Sequence, residues 1–386
     1  MTDRTRSTER LLEVLALFLR LGLTSFGGPA AHVALMQREC VERRQWIGRD
    51  AFLDMLAVSS LVPGPTSTEL AMHIGRHRAG WLGLVLAGLG FITPAALAVG
   101  LLAAVYVSTG DLPLMQGVMA AVTPVAVLLV VQAIVPLGQA ALRSPALTVI
   151  AVAAGAAVLA GAPELLVLVA AGVAGLVKAP SVLTLGMFGL AAVTLGTVTL
   201  GAAGTMPRAP LDDVVTYFLG VGAVLFGSGY VLFPVLEGDL VGRLGWLTQR
   251  ELLDAIAAGQ ATPGPVFTTA TFIGYLLGGP SMAVAATVAM FAPAFVFSAV
   301  SSVALDRLKT SRAARAFLDG VNAAAVAMIA VVVVSLGRSA FTGVMPVLIG
   351  LSAAVALFAA RMNPMLVMLA AAVAGAAYGV LEPGGR

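Results

Sequence analysis

Nine residues return at one spacing. Phe18, Gly22, Phe26, Gly27, Trp46, Asp54, Pro63, Gly64 and Pro65 reappear 200 positions later as Phe218, Gly222, Phe226, Gly227, Trp246, Asp254, Pro263, Gly264 and Pro265. The register holds from residue 18 to residue 65 without a gap. Both copies lie in a chain that is 59% hydrophobic and 11% charged. Globular domains run at about 45–50% apolar and about 25% charged. The chain therefore has to fold as a duplicated set of membrane helices. Internal repeats with interrupted helices are the sequence signature of secondary transporters.

A spanning helix needs roughly 20 apolar residues. Apolar segments run at 11–35, 51–75, 81–108, 115–142, 145–161 and 163–177, then 182–204. A second set follows at 214–236, 250–275, 280–305, 316–337, 342–360 and 363–381. The expected fold is an all-α polytopic membrane protein of about 13 transmembrane segments, arranged six, one and six. Its parts are a first repeat at 1–180, a linking segment at 181–210 and a second repeat at 211–386. Six crossings return the chain to its starting side, and a seventh makes the second set start from the opposite side. The repeats are then inverted. With the N-terminus in the cytoplasm, fourteen basic residues fall inside and seven outside, in line with the positive-inside rule. The exception is the loop 36–50, whose four arginines fall outside and are nearly neutralised by Glu39, Glu42 and Asp50. The first apolar segment lacks a clean small-residue cleavage site, so no secretory signal is expected.

The helices break at repeated places. The first segment is interrupted at Ser25-Phe26-Gly27-Gly28-Pro29, and its twin at Phe226-Gly227-Ser228-Gly229. Glycine visits conformations that a helix forbids, and proline removes a donor. Freed backbone groups in hydrocarbon must meet protein, water or substrate. These breaks either line a cavity or form a close seam between helices. The second break is stricter. Pro63-Gly64-Pro65 precedes Thr66, Ser67 and Thr68, and Pro263-Gly264-Pro265 precedes Val266, Phe267, Thr268 and Thr269. A helix has to stop and restart there, with Pro65 and Pro265 suited to the new first turn. A helix N-terminus with hydroxyls and unpaired N–H groups is an anion site. Two of them facing each other would cage a small oxyanion. The competing reading is a proline kink whose threonines bond their own helix.

Few charges lie near these breaks. Glu69 is a candidate for a coupling proton, because an ionisable group inside a membrane segment is functional by default. Its twin position holds Thr269. His32 could sense a proton, or be a packed core histidine. Arg20 precedes the first break by a turn and either attracts an oxyanion or snorkels to the surface. Asp54 and Asp254 read first as partners of helix N-termini and second as gate residues. His73 and His77 read as interfacial. Gly274 and Gly278 read as a small-residue packing face.

Composition excludes other classes. One cysteine, Cys40, and three histidines cannot build a thiolate metal cluster or an internal disulfide. No metal site and no cofactor is expected. The net charge of +3 does not point to nucleic acid, because most basic residues sit at segment ends. No metalloprotease motif or Cys-His pair suggests an enzyme. A passive anion channel is the rival within transport.

Ser25-Phe26-Gly27-Gly28-Pro29 with His32, and the paired Pro63-Gly64-Pro65 and Pro263-Gly264-Pro265, closely resemble the chromate ion transporter family, whose long members have two homologous halves. The likeness covers 11–142 and 214–337. It implies an inner-membrane carrier that expels chromate, confers chromate resistance and is driven by the proton motive force as an antiporter. It puts Phe26, Gly27, Gly28, Pro29, Pro63, Gly64, Pro65, Gly227, Pro263, Gly264 and Pro265 on family motif positions. Sulfate, with the same shape and charge, is the natural competitor. The expected partners are the oxyanion, protons and the bilayer, with a homodimer allowed.

Overall fold

A computed structural model describes residues 3–26, 28–110, 112–176, 209–225, 229–303 and 312–381. The segment 182–204, and with it the crossing that would set the repeats' relative orientation, lies outside the described residues, as do Gly27, Phe226, Gly227 and Ser228. Among the described residues there is no strand. Five helical segments there are long and apolar enough to cross a membrane: Thr66–Thr109, Pro113–Ala141, Val266–Val303, Arg315–Ala340 and Pro364–Leu381. The protein is an all-α polytopic membrane protein.

Among the described residues, seven α-helices fall in each repeat. The first repeat holds α1 (Asp3–Thr24), α2 (Gly28–Gln37), α3 (Arg49–Ser59), α4 (Thr66–Thr109), α5 (Pro113–Ala141), α6 (Pro145–Leu159) and α7 (Glu164–Leu176). The second holds α8 (Leu211–Val224), α9 (Leu232–Leu236), α10 (Gln249–Ala261), α11 (Thr269–Val303), α12 (Arg312–Ala340), α13 (Val344–Ala354) and α14 (Pro364–Leu381). Prolines start several of them. Pro113 and Pro145 occupy the first turn, where a missing N–H costs nothing.

α4 and α11 are each two helices joined by a sharp turn. The turns sit at Ala79-Gly80, with Gly80 φ at +68°, and at Gly278-Gly279, with Gly279 φ at +76°. The arms fold back on each other: a Cβ on Gly75 would strike the Gly83 carbonyl, and one on Gly274 would lie 2.6 Å from the Met282 carbonyl oxygen. Gly274 and Gly278 thus serve a reversal rather than a seam between separate helices. The first arm of α4, Thr66 to Arg78, rises roughly 20 Å, short of a hydrocarbon core of about 30 Å. Gly80 has open space around its missing side chain, yet its φ and its ψ of −156° suit only glycine. Gly80→Ala should therefore cost about 1–3 kcal/mol through backbone strain alone, read as a lower melting temperature in detergent. Unchanged melting would show that the turn is not strained.

The chain forms two compact units, and neither unit is a repeat. The first gathers 1–107, 209–229 and 258–311, and the second gathers 108–208, 230–257 and 312–386. In the first unit, α1 packs Val14, Leu17, Phe18 and Leu21 against Met36, Phe52, Met55, Leu70, Ile74 and Phe91. Between membrane helices, close packing and hydrogen bonds replace the hydrophobic drive, so small residues mark the crossings. α1 crosses α4 at Gly22, where a Cβ would lie 2.8 Å from the Phe91 carbonyl oxygen, and α8 crosses α11 at Gly222 against the Met290 carbonyl.

In the second unit the helices exchange partners between repeats. α5 packs on α14, and α12 packs on α7. A Cβ on Gly117 would strike the Gly375 carbonyl, and one on Gly379 the Pro113 carbonyl. The equivalent pair is Gly320 on Ala171 and Gly175 on Ala316.

Candidate functional site

The two Pro-Gly-Pro turns both lie in the first unit. Gly64 has φ at +132° and Gly264 at +97°. A side-chain-bearing residue rarely adopts either, so the turns need glycine. In the second repeat the chain reverses at this turn. A Cβ on Gly259 would collide with Thr269 and lie 3.7 Å from its Cα. Ten residues along a straight helix are roughly 15 Å apart. The apolar segment read from sequence at 250–275, with its break at Pro-Gly-Pro, is thus a hairpin of two short helices with Pro-Gly-Pro at its tip.

Each tip is tied to the other repeat. The Gly64 amide donates to the Leu225 carbonyl at 2.7 Å, and the Gly264 amide donates to the Ser25 carbonyl at 2.9 Å. Residues 64 and 264 are twins, and so are 25 and 225. The two bonds are therefore images of each other, as a two-fold relation between repeats requires. They also correct an expectation: these two glycine N–H groups are bonded within the protein and are not open to an anion. The next amides turn inward as well. Thr68 N–H donates to the Pro65 carbonyl at 2.8 Å, and Thr268 N–H donates to the Pro265 carbonyl at 3.0 Å.

The hydroxyls behave differently at the two tips. At the second, Thr268 Oγ1 donates to the Pro265 carbonyl at 2.7 Å, and Thr269 Oγ1 donates to the Val266 carbonyl at 2.8 Å. There the threonines bond their own helix. At the first, Thr68 Oγ1 and both carboxyl oxygens of Glu69 are buried without a partner, and so is Ser25 Oγ in the break after α1. Ser298 Oγ on α11 and Gln260 Nε2 on α10 are in the same condition. Such groups are rare in folded proteins and each calls for a water, an ion or a ligand. Ser298 and Gln260 are visible in the sequence only as isolated polar residues in apolar helices.

His32 joins the first break to both tips. Its Nε2 lies 3.2 Å from the Ser25 carbonyl, and its Nδ1 lies 3.2 Å from Ser67 Oγ. A carbonyl only accepts, so Nε2 carries the hydrogen and, in a neutral ring, Nδ1 accepts from Ser67. The Ser25 carbonyl also holds Gly264. The ring packs edge-on against Phe91 at 5.3 Å. His32 is thus a buried tie between α2, the break after α1 and the first arm of α4.

The remaining candidates are scattered. Phe26 lies half-buried in the break, and Gly28 opens α2 at a φ of +76°. Pro63 and Pro263 are half-buried beside their turns, with Pro65, Pro265 and Ser67 buried and Thr66 half-buried behind them. Arg20 is not aimed at the break. It is half-exposed and pairs with Glu39 at 2.6 Å, beside Arg43 at 2.8 Å. Burial works against the Glu39 charge, but Arg43 and Arg20 outweigh it and hold the carboxyl below its ordinary range. Nearby, burial pushes the Cys40 thiol up to about 12. His73 is buried within the protein, with Nε2 at 3.3 Å from Ser301 Oγ. His77 is exposed. Asp54 is half-buried on α3 in the first unit. Its twin Asp254 is buried in the second unit, 3.3 Å from Thr123 Oγ1, beside a cavity of about 790 Å³ shared with Gln116, Arg250 and Tyr378.

Comparison with known proteins agrees with this duplicated architecture. The family described as "Chromate transporter" matches residues 12–176 and 213–376. The chromate transport protein of Pseudomonas aeruginosa is 35% identical over 94% of this chain and 91% of its own. That of Cupriavidus metallidurans is 31% identical over 98% of this chain and 96% of its own. The probable chromate transport protein of Synechococcus elongatus is 30% identical over 95% of both. No solved structure matches. Matched along both repeats and over nearly all of its length, the chain belongs to the chromate transporter family.

Proposed function

We propose that this protein is a secondary active transporter that exports chromate across the inner (plasma) membrane, coupled to protons, and so confers chromate resistance. The observation that carries the reading is the set of buried, unpartnered polar groups at the first Pro-Gly-Pro tip, within a pair of tips bonded reciprocally across the repeats. A transported ion has to shed water, and such groups replace it. The names of three relatives supply chromate as the ion. Glu69 and His32 are the residues for proton coupling. The oxyanion contacts the unpartnered hydroxyls of Ser25 and Thr68. The two-fold exchange of partners and the excess of basic residues on one side favour inverted repeats with a cytoplasmic N-terminus, working by alternating access.

The test is flux of labelled chromate into proteoliposomes with an imposed proton motive force. Uptake should collapse when an uncoupler is added and fall when sulfate competes. Flux that ignores the uncoupler would make the protein a passive anion channel.

A further inference from the structure

Glu69 sits in the first turn of the half-helix that begins at Thr66. Its side chain is completely covered, and neither carboxyl oxygen has a partner. It leans back over the tip: a Cβ on Gly64 would lie 2.5 Å from Glu69 Oε1. The facing arm of α11 runs alongside. A Cβ on Gly64 would lie 3.3 Å from Ala294 Cβ, and Ser301 meets His73, so the intervening Ser298 lies on the arm that faces this half-helix. The buried hydroxyl of Ser298 has no partner either. The charged or titratable groups around Glu69 are few. His32 reaches the half-helix through Ser67, His73 lies one turn further along, and Arg76 lies beyond it, held by Ser302 and the Ala299 carbonyl. None of them bonds the carboxyl. At the second tip Thr269 replaces Glu69, and its hydroxyl bonds its own helix.

A half-helix N-terminus offers one concentration of positive charge. When Glu69 is ionised, its carboxylate occupies that place from inside. An oxyanion arriving at the same place meets a like charge at contact distance in a dry site, where repulsion is strong. The two anions compete, and adding a proton to Glu69 removes the competitor.

Building on the chromate reading above, we infer that oxyanion and proton load together at the first tip, one proton on Glu69 for each oxyanion bound. The proton comes from solvent on the loading side and returns to solvent on the other side. No bond of the oxyanion changes. A dianion then moves with a net charge of one negative unit. An inside-negative membrane potential drives that complex outward, and an acidic exterior opposes it. Export is therefore powered by the potential, and protons move with chromate rather than against it.

The experiment uses the purified full chain in detergent, weakly buffered, with a pH indicator. Chromate is added in the alkaline range, where it is a dianion. The expected result is about one proton taken up per chromate bound, with affinity falling about tenfold for each pH unit where Glu69 is ionised in the empty protein. Glu69→Gln, and Glu69→Thr with the second repeat's residue, should bind with no proton uptake and with pH-independent affinity. Binding by the wild type without proton uptake overturns the inference and leaves the oxyanion site standing. That count needs no variant, so a variant that fails to fold does not remove the test. Variants that still take up a proton overturn Glu69 as its carrier. No chromate binding by the wild type overturns the chromate reading itself. In vesicles without a pH gradient, chromate should accumulate on the positive side of a potassium diffusion potential. Movement that requires a pH gradient instead overturns the inference.

Discussion

Replacing Pro63-Gly64-Pro65 with three alanines should abolish chromate transport, and so should the same change at Pro263-Gly264-Pro265. Alanine is the strongest helix former, so the triplet favours one continuous helix where the chain now turns. The backbone angles at Gly64 and Gly264, +132° and +97°, become costly. With the turn goes the bond from Gly64 to Leu225, or from Gly264 to Ser25. Each bond ties one repeat's tip to the end of the other repeat's first helix, so either change displaces both halves of the site. A misplacement of about 1 Å in a binding site costs roughly 10²-fold, which puts transport at background. The measurements are chromate resistance, chromate flux and the amount of protein in the membrane fraction. Normal resistance with both triplets sinks the assignment of the tips. Resistance lost in only one variant would show that one tip suffices.

A bulky residue at Gly117 or Gly320 prevents the second unit from assembling. These glycines are twins, one on α5 against α14 and the other on α12 against α7. A Cβ on Gly117 meets the Gly375 carbonyl, and one on Gly320 meets the Ala171 carbonyl. Backbone cannot step aside as a flexible side-chain end can. Overpacking costs about 1–3 kcal/mol even where neighbours can shift. Gly117→Leu and Gly320→Leu should exceed that range and cut the yield of folded protein by similar amounts. Gly138→Ala is the control on the same helix, since its added methyl would lie 3.7 Å from Val326 Cγ1, an ordinary contact. Monodisperse protein in size-exclusion chromatography reads the outcome. Equal yields for Gly117→Leu and Gly138→Ala would mean that the α5–α14 crossing is not close-packed.

Much of the fold is readable from local signals. Proline at Pro113 and Pro145 marks helix starts, and apolar runs mark the helices to within a few residues. Pro-Gly-Pro marks both reversals, because no helix passes through it. The residues that would hold an oxyanion are less readable. Arg20 looks like an anion ligand until Glu39, nineteen residues on, takes it. His73 gives no sign in the sequence of Ser301, which meets it from α11. Asp54 and Asp254 are twins in sequence, yet they enter different units. Each of these outcomes depends on a partner that no local pattern names.

The 200-residue echo, the membrane class and the positions of the turns follow from the sequence alone, because they rest on composition and on what glycine and proline do to a backbone. Which hydrogen bonds those turns make does not follow from it. Only the tertiary structure decides that the Gly64 and Gly264 amides are bonded across the repeats, that the threonines of the second tip bond their own helix, and that Glu69 lies covered and unpartnered at the first. The physical reason is reciprocity. Each repeat completes its polar groups with atoms of the other, so nearly identical motifs end in different surroundings.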